Sequence, residues 1–74
     1  VVISALVENR SGRLAAIAST IANLGVNIEN IEQQESQQST RLFHIVVIIK
    51  NIIELNDVLK QLNKLPHLVS AQRV

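Results

Sequence analysis

Hydrophobic and polar positions along the chain switch period several times, and each switch marks an element. From Val1 to Val7 the residues are apolar and partly β-branched at strand length, with Ile3, Ala5 and Val7 on one side and Val2, Ser4 and Leu6 on the other. The polar turn Glu8-Asn9-Arg10-Ser11-Gly12 follows. Then Leu14, Ile17, Ala18, Ile21 and Leu24 recur at helical spacing, which predicts a helix with one apolar stripe. Ser11 is the expected N-cap, and Gly25 suits the left-handed position that stops the helix. A second strand starts at Val26, and its alternation slips between Ile28 and Ile31, which predicts a bulge near Glu29 or Asn30.

Glu32 to Thr40 is polar throughout and reads as a projecting hairpin end, with a solvated loop at Ser36–Ser39. Leu42 to Ile49 is the most strand-like run. Phe43, Ile45, Val47 and Ile49 form one apolar side, and His44, Val46, Ile48 and Lys50 the half-apolar other, so the strand is expected to be central. Asn51 is placed to cap a second helix with the stripe Leu55, Val58, Leu59, Leu62 and Leu65, which Pro66 prevents from continuing. His67 to Val74 closes as a fourth strand.

The order β-α-β-β-α-β, with right-handed crossovers, predicts an α+β ferredoxin-like sandwich: a four-stranded antiparallel sheet with two helices on one face. The other face would carry Val2, Leu6, Val46 and Ile48, an apolar patch that marks an interface and predicts a homodimer or higher homo-oligomer.

At 74 residues the chain is one domain, residues 1–74, and a domain this small buries only roughly 60–65% of its unfolded surface. With no cysteine, disulfides and thiolate metal sites are excluded, and two histidines and six carboxylates show no metal-ligand spacing. No metal or cofactor is expected, and association is the remaining staple. A net charge of +1 with scattered cations is no footprint for nucleic acid, and no apolar run is long enough to span a bilayer. No basic segment precedes VVISALV, so a signal peptide is not expected. The first residue is Val and both ends are strand-like, so the chain is expected to be excised from a larger protein.

This fold serves many functions, so the side chains must decide. Base stacking on the central strands needs aromatics, and Phe43 is the only one. No catalytic constellation stands out. His44 reads as a surface or interface residue, His67 as a strand-entry residue, and Glu29, Glu32 and Glu35 as solvated hairpin charges. Glu54 and Asp57 suit the dipole of a helix start. Catalytic residues are therefore none. The helix start after Gly12 is different, because its N–H groups suit a carboxylate. Asn9 and Asn27 either satisfy turn backbone or offer the paired donor and acceptor that a free amino acid requires.

The span ENRSGRLAAIASTIANLGVNI resembles the signature of the ACT domain, a small regulatory module that binds amino acids in many metabolic enzymes. The second half, NIIELNDVLKQLNKLPHLVSAQRV, is similar to the C-terminal ACT domain of the RelA/SpoT family, the synthetases and hydrolases of the alarmone (p)ppGpp. The resemblance implies a cytoplasmic regulatory domain of such an enzyme, a GTP pyrophosphokinase or (p)ppGpp hydrolase, that does no chemistry itself. It implies side-by-side pairing into an eight-stranded sheet, with ligand between the first helix's N-terminal loop and the partner copy. The implied ligand residues are Asn9, Arg10, Ser11, Gly12, Asn27 and Ile28. Ser11 replaces the family's common Pro, and Val7 stands where some members carry a histidine, which turns the expected ligand toward a branched-chain amino acid. The alternatives are a protein-interaction module without a small ligand, acting through catalytic domains or ribosome contacts of the parent, or the amino-acid sensor of another metabolic enzyme.

Overall fold

The computed structural model describes residues 1–74, the side chains of Glu35 and Ser36 excepted. The elements run β1 (Val2–Glu8), α1 (Arg13–Asn23), β2 (Asn27–Ser36), β3 (Thr40–Ile48), α2 (Ile52–Leu62) and β4 (Leu68–Arg73). They form one antiparallel sheet in the order β2-β3-β1-β4, with β3 internal as its two-sided apolar pattern predicts. This is the ferredoxin-like arrangement. The long dimension of 35 Å follows from the β2–β3 hairpin, since ten strand residues at about 3.3 Å each span nearly that length.

Alternation in β1 divides the molecule. Ile3, Ala5 and Val7 are buried and Val2, Ser4 and Leu6 are half-buried on the opposite side. On the covered side they meet Phe43, Ile45, Val47 and Ala71 from the sheet, Ile17 and Ile21 from α1, and Leu55, Val58 and Leu62 from α2. The β2–β3 register skips from Ile28↔Val47 to Asn30↔Val46, so Glu29 is the bulged residue. β4 has a similar irregularity: Leu6 faces Ser70 and Val7 faces Leu68, which leaves Val69 out of register and exposed.

Gly25 ends α1 at φ 75°, the left-handed conformation expected there. Its N–H donates to the Ala22 carbonyl and the Val26 N–H to that of Ile21, so two carbonyls of the last turn are satisfied. Asn51 caps α2 as expected, accepting from the Glu54 N–H at 2.8 Å, while the Glu54 carboxylate accepts from the Lys50 N–H at 3.0 Å.

Two expectations are corrected. Ser11 does not cap α1. The helix starts at Arg13, Gly12 occupies the N-cap in left-handed conformation (φ 78°), and no side chain bonds the first turn. Ser11 is thereby set back in the exposed turn before the cap position. Nor is the α1 stripe buried along its whole length. Leu14 is 39% and Leu24 37% exposed, because core contact is confined to the middle of the helix at Ile17 and Ile21. In α2, Leu59 and Leu65 are half-buried against the core rather than within it. The expected solvation of Glu35 and Ser36 concerns side chains outside the described residues.

The two ends of the α1 stripe should therefore respond unequally to truncation. Ile21→Ala is expected to cost about 2–5 kcal/mol and Leu14→Ala well under half as much, read as urea-denaturation midpoints at unchanged m-value. Comparable losses would contradict the burial pattern. At Gly25, an added Cβ meets no atom within 4 Å, so Gly25→Ala carries only the left-handed backbone cost, about 1–2 kcal/mol on the same scale.

Candidate functional site

The β1–α1 turn, residues 9–12, lies where β1 hands the chain to α1, beside the β2–β3 hairpin loop. Asn9 is committed to that loop and to the start of β3 by three hydrogen bonds. Its N–H donates to the Ser39 carbonyl at 2.9 Å, its Nδ2 donates to the Gln38 carbonyl at 3.3 Å, and its Oδ1 accepts from Arg41 Nε at 3.0 Å. The amide thus satisfies turn backbone, one of the two roles its position allows. Arg10 and Ser11 are exposed, and Arg10 Nε lies 3.6 Å from Glu8 Oε2.

Gly12 matters through its backbone. At φ 78° an L side chain is strained, and with no side-chain cap the first-turn N–H groups of α1 are left to face a ligand or water. An anion is favoured there by those donors and by the helix dipole.

Asn27 and Ile28 are elsewhere. α1 has 11 residues and spans about 16 Å, and β2 begins at its far end. Asn27 pairs in register with Ile48, at the opposite end of β3 from Thr40, which pairs with Glu8. Its side chain is exposed and makes no hydrogen bond among the described residues, while Ile28 is half-buried against the core. One copy therefore does not bring the six expected ligand residues together. The turn residues and the Asn27–Ile28 pair lie at opposite ends of α1, the helix that packs against the edge strand β2.

Sequence reasoning missed a clasp beneath the turn. His67, the one non-glycine residue with positive φ (65°), precedes β4, and its Nδ1 lies 2.5 Å from Glu8 Oε2. The Glu8 N–H donates to the His67 carbonyl, and Arg13 Nη1 donates to the Pro66 carbonyl at 3.0 Å. Arg13 Nε is buried without a partner. The residues concerned are more than fifty positions apart, and only the adjacency of β1's end and β4's start unites them. A cleft lined by Val7, Arg13, Ile17, Leu65, Pro66 and Leu68 lies alongside, but its free space of about 10 Å³ holds at most one water.

The expected interface residues Val2, Leu6 and Val46 are half-buried on the bare face, with Ile48 50% exposed beside them. A polar row formed by Glu32, His44, Ser4 and Gln72, paired in register across all four strands, interrupts this apolar surface. Among the described residues no group of His, Asp and Glu could hold a metal, and no helix is long and apolar enough to cross a membrane.

A sequence model described as the ACT domain matches residues 1–67. No curated protein matches the chain significantly. Among solved structures, the ACT domain of the GTP pyrophosphokinase of Chlorobium tepidum superposes with a TM-score of 0.84 at 19% identity, over 99% of this chain and 94% of that one. The small subunit of acetolactate synthase from Thermotoga maritima gives 0.81 at 26% identity, over 96% of this chain and 44% of its own. The ligand-free regulatory subunit of aspartate kinase from Thermus thermophilus gives 0.74 at 18% identity, over 96% and 47% respectively. With its strand order and nearly its whole length matched, the chain belongs to the ACT domain family, a family of regulatory rather than catalytic modules.

Proposed function

We propose that this domain regulates a (p)ppGpp synthetase/hydrolase by holding an amino acid between two copies of itself. The observation that carries the reading is the separation of two incomplete half-sites by the length of α1. A second copy laid antiparallel along β2 brings its Asn27 toward the end where β2 finishes, beside the first copy's β1–α1 turn. Each junction then combines the uncapped α1 start, with Asn9, Arg10, Ser11 and Gly12, and the partner's Asn27 and Ile28. The carboxylate of the ligand takes the first-turn N–H groups of α1, and its ammonium takes the Asn27 amide oxygen. A branched aliphatic side chain suits the apolar wall at Ile28. Likeness to the Chlorobium tepidum domain and the Asn51–Val74 sequence support the alarmone enzyme as parent. Regulation is a population shift. A ligand that favours one arrangement of the catalytic domains by about 1–3 kcal/mol changes their activity roughly 5–150-fold.

A second reading rests on the bare face. Val2, Leu6, Val46 and Ile48 offer apolar surface for a protein contact that needs no metabolite.

Calorimetry with valine, leucine and isoleucine is expected to show saturable heat, and Asn9→Ala or Asn27→Ala to abolish it. Mixing the two silent variants should restore about one quarter of the sites, because a mixed pair contains one intact junction. Sites contained within a single chain would give no recovery, and a flat titration of the folded wild type at millimolar ligand would end the amino-acid reading. For the bare face, Val46→Glu is expected to lower the mass seen by sedimentation with unchanged helix content. An unaltered mass counts against that contact.

A further inference from the structure

β4 is an edge strand, and an edge strand presents unpaired N–H and C=O groups to any passing chain. Its inner side pairs with β1, and the residues flanking it continue that pairing: the Val74 N–H donates to the Val2 carbonyl and the Glu8 N–H to the His67 carbonyl. Ala71, opposite Ala5 in the register, has both main-chain groups taken by one side chain outside the β1–β4 ladder. The Ala71 N–H donates to Asn63 Oδ1 at 3.2 Å, and Asn63 Nδ2 donates to the Ala71 carbonyl at 3.1 Å. That amide also donates to the Leu59 carbonyl at 2.8 Å, which fixes it to the last turn of α2.

A carboxamide has the donor and acceptor of one peptide unit, so Asn63 occupies the place that one residue of a fifth strand would take. The exposed Val69, thrown out of register by the bulge, breaks the edge further along. Among the described residues no side chain does this on β2, the strand at the other edge.

We infer that Asn63 is an edge stop: it closes β4 against strand addition by a second copy of this chain, and so confines strand-to-strand association to β2. The inference rests on the hydrogen bonding of β4 and not on the ligand reading above. It stands or falls on a change relative to wild type, whatever the wild-type oligomer proves to be.

The test is sedimentation velocity of the isolated domain and its variants over a concentration series. Asn63→Ala is expected to raise the weight-average mass by about twofold or more over wild type, with the new contact running through β4. Adding Arg73→Pro, which removes an outward N–H from the same edge, is expected to return the mass to the wild-type value. Asn63→Ala folded by circular dichroism but unchanged in mass overturns the inference, as does a gain in mass that Arg73→Pro leaves intact. Should Asn63→Ala fail to fold, amide hydrogen exchange of the wild type decides. Slow exchange at Ala71 relative to Arg73 upholds the closure, and equally fast exchange overturns it.

Discussion

Strict alternation in β1 is the constraint on which the rest depends. Ile3, Ala5 and Val7 are fully or almost fully buried, and a slip of one residue would exchange them for Val2, Ser4 and Leu6. Because β1 lies between β3 and β4, its register sets theirs, and β3 in turn sets β2. Right-handed crossovers then place both helices over the same side. One face becomes the core and the other is left bare, without any further instruction from the chain.

The same constraint explains why function falls at the edges and corners. The cleft under α1 offers about 10 Å³, room for at most one water. What remains accessible is the uncapped start of α1, the exposed Asn27 at its far end, and the main chain of β2. These are three incomplete things. A helix start without a cap has donors but no walls, an asparagine alone has no specificity, and an edge strand is half a ladder. The proposed two-fold pairing along β2 would complete all three at once, and ligand occupancy and association would then be thermodynamically linked.

Much of this was legible in the sequence where one period ran long enough to decide. The order of elements, the centrality of β3, the stop at Gly25, the Asn51 cap and the bulge at Glu29 all follow from local pattern. The exposure of Leu14 and Leu24 does not. Helical spacing tells which side of α1 faces inward but not how much of the helix the sheet reaches. Ser11 was misread because a hydroxyl before a helix is a good cap only where the backbone turns it to the first N–H groups, and the left-handed Gly12 intervenes. The expected ligand residues rest on a family resemblance, and their placement at opposite ends of α1 emerges only when the 11 helical residues are counted out in space. The Glu8–His67, Arg13–Pro66 and Asn63–Ala71 contacts carry no spacing signal, for each depends on which strand ends the fold makes neighbours.

A regulatory module needs a part that yields to small free energies while the remainder stays put. Here the contrast is steep. The side chains beneath the β1–α1 turn, Val7 and Ile17, are almost wholly buried, whereas the turn itself is held by exposed contacts to the hairpin loop and by the half-buried Glu8 with the exposed Arg10 and His67. Ion pairs at such exposure are worth about 0–1 kcal/mol each, the same order as the differential affinity a regulator must supply. The ligand proposed for the α1 start would compete only with contacts of that size. Glu8 and Arg13 are in direct contact with His67 and Pro66, which lead into β4. The path from the half-site to the end of the chain is thus a short series of weak polar contacts laid over a rigid core. In the proposed reading, occupancy would be felt at β4 without disturbing the sheet beneath.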